Sequence, residues 1–220
     1  DRAGAYYEEY GYDYAREGMA TWYKNMIENA RLCPTAQEYD NKNPDLLGTG
    51  KAKPNGKVFT DHLNVFDCSK VSDGASAIAV VSEEGLKRAG IDKKNAVEIA
   101  SFAQVVDNLT EFPQDQNELN TTKESVRQAL ADAGLTKDDI GTIELHDCFT
   151  IAGLLIVEAI GFAEKGKGAA YVAGGNTARD GEIPINTTGG LIGWGHPTGA
   201  TGVHQAVTMW EQLTGNAGEA

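Results

Sequence analysis

No run of about 18 apolar residues occurs in the chain, so no membrane-crossing helix is expected, and no signal peptide opens it at Asp1. Cysteine is scarce. Cys33, Cys68 and Cys148 stand far apart without CxxC spacing, which excludes the usual zinc and iron–sulfur patterns, and no metal site is expected. Three unpaired, scattered thiols suit a reducing compartment: the cytoplasm, or a peroxisomal or mitochondrial matrix for a eukaryotic source. Positive charge is also short. Lys and Arg number 19 against 32 Asp and Glu, and the net charge of −13 argues against a nucleic-acid or anionic-membrane partner. The glycine-dense stretch from Thr187 to Gly202 contains no lysine, so it is not a phosphate-binding P-loop.

What is present is an ordinary globular composition, 41% hydrophobic and 23% charged, enough for one domain or two small ones. Residues 1–14 hold five tyrosines and read as a packed loop or an interface. Met19, Trp22, Met26, Ile27 and Ala30 recur at helical spacing and predict one amphipathic face over 15–30. Residues 41–56 carry Asn43-Pro44, Lys53-Pro54 and Asn55-Gly56, the marks of a surface connection. Residues 58–66 read as an extended entry, and 77–81, 97–106, 143–145 and 169–173 as strands. Helices are predicted from Ser82 to about Gly90, from a capping box at Thr121-Thr122-Lys123-Glu124 to Ala133 before Gly134, and over 150–160 and 201–213. Alternating strands and helices imply an α/β fold with a mostly parallel sheet covered on both faces.

Two segments stand out. His146-Asp147-Cys148-Phe149 falls between the apolar run Ile143, Leu145 and the apolar helix after it, at a strand end, where α/β folds usually place their chemistry. Gly195-His196-Pro197-Thr198-Gly199-Ala200-Thr201-Gly202 is a glycine-packed turn around one imidazole, stiffened by the proline. Taken singly, Cys148 is compatible with a small buried hydrophobe and His146 with a satisfied strand-end histidine. Asp147 and Phe149 read as turn geometry and packing. His62 and His204 belong to no motif and read as structural or exposed.

Together the two segments resemble the active-site loops of the thiolase superfamily, and the Cys-containing form of the first resembles the sterol-carrier-protein type, where commoner thiolases carry Asn-Glu-Ala-Phe. The resemblance runs from about Lys57 to Gly215. It implies a layered αβαβα fold with mixed, mostly parallel sheets, incomplete in this chain: 1–56 the end of a loop domain, 57–92 the end of the N-terminal half, and 93–220 the C-terminal half without its last strands. It implies an acyltransferase acting on coenzyme A thioesters by Claisen chemistry, with acyl-CoA and coenzyme A as substrates and no resident cofactor. A retro-aldolase of CoA-linked side chains on the same fold, or a non-catalytic acyl-CoA-binding subunit, is the alternative. In the family's terms Cys148 is the acid/base, a role that suits a thiol of unperturbed pKa about 8.5 near an imidazole. His146 shapes an oxyanion site, and His196 activates the nucleophile and donates to the thioester oxygen. Ser69, four residues before Asp73-Gly74-Ala75, is expected near the pantetheine arm, with Gly195 and Asn186 also on the CoA side. The nucleophilic cysteine is expected outside these residues, in the remaining thiolase half or a companion chain, because neither Cys33-Pro34 nor Cys68-Ser69 has the required small-residue context. The chain reads as a fragment of a protein expected to be a homo-oligomer.

Overall fold

The structure is a computed structural model that describes Asp1–Glu219. Its first two helices, α1 (Arg2–Tyr10) and α2 (Tyr12–Ala30), are separated by Gly11, whose φ of 94° breaks the register. The tyrosine-rich start is therefore packed, as expected, but helical rather than a loop. Tyr6 is buried and donates to Glu158 Oε1 at 2.7 Å, and Tyr14 donates to the Gly166 carbonyl at 2.8 Å.

Helix α2 is the centre of the molecule. The expected stripe of Met19, Trp22, Met26, Ile27 and Ala30 is buried, but so are Gly18 and Ala20 to either side of it. Small residues explain the difference, since they let backbone approach from several sides. Around it lie α3 (Leu46–Gly50), inside the connection expected to be irregular, α6 (Thr150–Ile160), α7 (Gly168–Ala173) and α8 (Gly190–Gly193). A Cβ on Gly18 would stand 2.5 Å from the Ala169 Cα, and one on Gly193 would stand 2.5 Å from the Met26 carbonyl. α4 (Glu83–Ala89), α5 (Asn120–Ala133) and α9 (Thr201–Thr214) complete the set, close to their expected bounds.

Three expectations are corrected. Residues 169–173 form α7 rather than a strand: the Gly-Ala-Ala-Tyr-Val-Ala run is rich in the best helix former, and Glu158 Oε1 accepts its first N–H from Gly168 at 2.8 Å. The capping box at Thr121–Glu124 does not form, because the helix begins earlier, at Asn120 after Leu119, and places Thr121 inside it; the Glu124 carboxylate accepts instead from Arg127 Nε and Gln128 Nε2, each at 2.8 Å. Finally, no strand ladder forms among the described residues. Isolated β-bridges join Cys68 to Phe149, Val71 to His196 and Ile143 to Ile185. Residues 77–81, expected as a buried strand, lie open, and 97–106, expected as a strand, alternate between exposed and half-buried without pairing, with Phe102 86% exposed. A parallel strand is stable only when neighbours pair with it and cover it, and these segments pair with none among the described residues.

A buried ion pair fixes what matters for the site. Arg16 of α2 grips Asp67 through Nη1 at 2.8 Å and Nη2 at 2.5 Å, while Thr150, the first residue of α6, donates to Asp67 Oδ1 at 2.7 Å. Asn64 and Asp67 cap each other's backbone around a short turn. Desolvating such a pair is costly unless its oxygens are satisfied, and here they are. The segment entering Cys68 and Ser69 is thereby tied to the end of the His146–Phe149 loop.

Candidate active site

Ile143, Leu145 and Asp147 point one way along an extended segment, and His146 and Cys148 alternate with them. The segment is held by Asn186, whose amide mimics a neighbouring strand: Oδ1 accepts from Leu145 N at 2.8 Å and Nδ2 donates to the Leu145 carbonyl at 3.2 Å. Asn186 adopts φ 52°, tolerable for asparagine, and is fully buried. It braces the segment that carries His146 and Cys148.

The second loop comes to the first across fifty residues of sequence. Its backbone is anchored by Lys70, whose carbonyl accepts from His196 N at 2.8 Å and whose N–H donates to the Leu191 carbonyl at 3.2 Å. Ser69 N donates to the Cys148 carbonyl at 2.9 Å, so residues 69–71 run between the two loops. Gly195 has φ 126° and presses on Ser72, a place no other residue fills without strain. The ring of His196 is oriented by Thr201 Oγ1, 2.7 Å from Nδ1.

The outcome is an edge-on pair of imidazoles, His146 and His196, with centroids 4.9 Å apart and planes at 85°. The pKa of His146 is lowered by loss of surrounding water and by the charge of His196, so it is neutral near pH 7 and retains one N–H to donate. Cys148 is half-buried, and burial, then the Asp147 charge, pushes its thiol up rather than toward neutrality. It is therefore a protonated group at pH 7. Cys68 beside it is pushed up to about 11 by burial and by Asp67. Lys70 brings positive charge to the same edge but is partly occupied by Glu38 at 3.4 Å.

The two imidazoles thus meet, with Gly195 next to His196 in sequence and the Ser69 backbone bonded to that of Cys148. His204 does not join them: it stacks on Trp194 at 3.5 Å, and burial lowers it to about 4. His62 pairs with Asp1 at 2.6 Å on the far side of the chain. Two carboxyl groups were not singled out from the sequence. Asp147 is 0% exposed and accepts from Trp22 Nε1 at 3.0 Å and Leu191 N at 2.8 Å; burial pushes it up to about 7. Glu144, pushed up to about 8 by burial and then by Asp147, accepts from Thr187 N at 3.2 Å. The signal for Asp147 was an acid in the inward register of Ile143 and Leu145.

Residues 103–220 match the family model described as thiolase C-terminal domain-like. The chain belongs to the thiolase family. It is 37% identical over 210 residues to an acetyl-CoA acetyltransferase of Methanothermobacter thermautotrophicus, covering 96% of this chain and 53% of that protein. To human sterol carrier protein 2 it is 35% identical over 218 residues, covering 96% of this chain and 38% of the relative. The chain thus spans about half, or less, of the length of these thiolase-family relatives. Two solved structures share its fold. An Ltp2–ChsH2 aldolase superposes with a TM-score of 0.73 at 20% identity over all of this chain and 56% of its own. A monomeric SCP2-thiolase-like protein from Mycobacterium smegmatis superposes with 0.65 at 17% identity over 97% and 44%.

Proposed function

We propose that the complete protein carrying this thiolase-family chain is an acyltransferase of coenzyme A thioesters that breaks or forms a carbon–carbon bond next to the thioester. The observation that carries this reading is the His146–His196 pair at 4.9 Å, on the two loops that also hold Cys148 and Gly195. In the cleavage direction a cysteine thiolate contributed from outside these residues attacks the 3-keto carbon. The bond between C2 and C3 breaks, and its electron pair passes into an enolate of acetyl-CoA. The thioester oxygen of that enolate takes hydrogen bonds from His196 and His146, and preorganised donors at such an oxygen are the largest usual source of rate. Cys148, protonated at neutral pH because it is buried beside Asp147, gives its proton to the enolate carbon. Incoming coenzyme A then returns a proton to Cys148 and releases the acyl group as a new thioester. Coenzyme A enters as substrate, and these steps call on no resident cofactor.

The test is turnover of acetoacetyl-CoA by the complete protein. Thiolase chemistry requires free coenzyme A and yields two acetyl-CoA for each acetoacetyl-CoA consumed. No turnover of 3-ketoacyl-CoA substrates of any chain length, or cleavage of a 3-hydroxyacyl thioester that needs no coenzyme A, overturns this reading, the second result in favour of an aldolase.

A further inference from the structure

We propose that Asp147 is a positioning residue, whose carboxylate sets the spacing between the loop bearing His146 and Cys148 and the loop bearing His196. The inference rests on the thiolase-type reading for its kinetic consequence, but its geometric basis is independent of that reading. Asp147 lies between the two candidate catalytic side chains and points the opposite way, fully buried. Each of its oxygens accepts a different donor. Oδ2 takes Trp22 Nε1 from α2 at 3.0 Å, and Oδ1 takes Leu191 N at 2.8 Å, at the start of α8, which leads directly into Gly195 and His196. A short bond to a backbone N–H is directional, so the second bond fixes where the His196 loop begins relative to His146.

The surroundings are built around this carboxylate. Gly190 has φ 59°, and a Cβ there would stand 2.7 Å from both Asp147 oxygens and 2.5 Å from Asn186 Nδ2. A side chain at 190 would push α8 off its acceptor. Only a carboxylate serves both donors, because an amide turns one oxygen into an NH₂ that faces another N–H. The loops are also linked through residues 69–71, by Ser69 N to the Cys148 carbonyl and His196 N to the Lys70 carbonyl. Loss of the Asp147 link therefore shifts the imidazoles without separating the loops. A displacement of about 1 Å in a catalytic constellation costs up to about 100-fold in rate.

The experiment compares Asp147→Asn and Trp22→Phe in the complete protein, by steady-state kinetics with acetoacetyl-CoA and by crystal structures. Asp147→Asn is expected to lower kcat about 10- to 100-fold with KM little changed, and to widen the His146–His196 ring separation. Trp22→Phe removes the indole donor at Oδ2 and keeps the bond to Leu191, so it loses stability while kcat stays near the parent value. Should Asp147→Asn fail to accumulate as folded protein, Asp147→Ser carries the same expectation. Unchanged kcat and ring separation in the Asp147 variant, or an equal kcat loss in Trp22→Phe, overturns the positioning role. If the parent protein turns over no 3-ketoacyl-CoA, the thiolase reading fails on its own, and the ring separation decides the fate of Asp147.

Discussion

Two histidines are individually ordinary; rings brought edge-on at 4.9 Å by loops fifty residues apart are not. His196 illustrates this. Thr201 Oγ1 holds its Nδ1 at 2.7 Å, and the Lys70 carbonyl holds its backbone at 2.8 Å, so the ring is fixed before any substrate arrives. A preorganised donor of this kind contributes about 10²–10³ in kcat. His196→Ala in the complete protein is therefore expected to lower kcat by about that factor with KM nearly constant, measured on acetoacetyl-CoA. A near-parental kcat would reduce His196 to a turn residue. The motif residues were legible in the sequence because glycine density and three polar residues between apolar runs are locally unusual. Asp147 was read as turn geometry because a buried carboxylate becomes meaningful only with its donors, and these come from Trp22 and Leu191, far away in the chain.

At the scale of elements, helices were legible where local signals were self-sufficient. α6 begins and ends where its apolar run does, and Gly134 and Gly215 end α5 and α9 in left-handed caps at φ 69° and 73°. Strand expectations fared differently because a strand is stabilised by its neighbours, which no local pattern contains. Residues 169–173 show the ambiguity of a short apolar run, which serves a buried helix as readily as a strand. The helical packing also predicts a specific weakness. Gly153 of α6 lies flat on Trp22 of α2, and a Cβ there would enter the indole ring system. Gly153→Ala is expected to destabilise the protein by about 1–3 kcal/mol, the usual cost of overpacking. A denaturant midpoint at the parental value would show that α2 and α6 have room to part.

Across the whole molecule, one region is finished and another is not. α2 and its surrounding helices bury Trp22, Met26, Leu154 and Ile192 completely, whereas Val71, Phe102 and Phe112 are 95%, 86% and 93% exposed. The candidate site lies between these regions, with its floor on α2 and Val71 joined to His196 at its edge. The family and the two loops were legible in the sequence, but the sheet that the family fold implies depends on pairing, and among the described residues the apolar segments make no strand ladder. The central proposal is that these loops assemble a thiolase-type acid/base centre in which Cys148 moves the α-proton of acetyl-CoA. The most direct test is deuterium wash-in at the acetyl methyl group of acetyl-CoA, comparing the complete parent protein with Cys148→Ala, Cys68→Ala and Cys33→Ala. The account predicts that Cys148→Ala still forms an acyl-enzyme but exchanges about 10²–10⁴ more slowly, while the other two exchange at the parental rate. Parental exchange in Cys148→Ala would contradict it and leave Cys148 a packing residue.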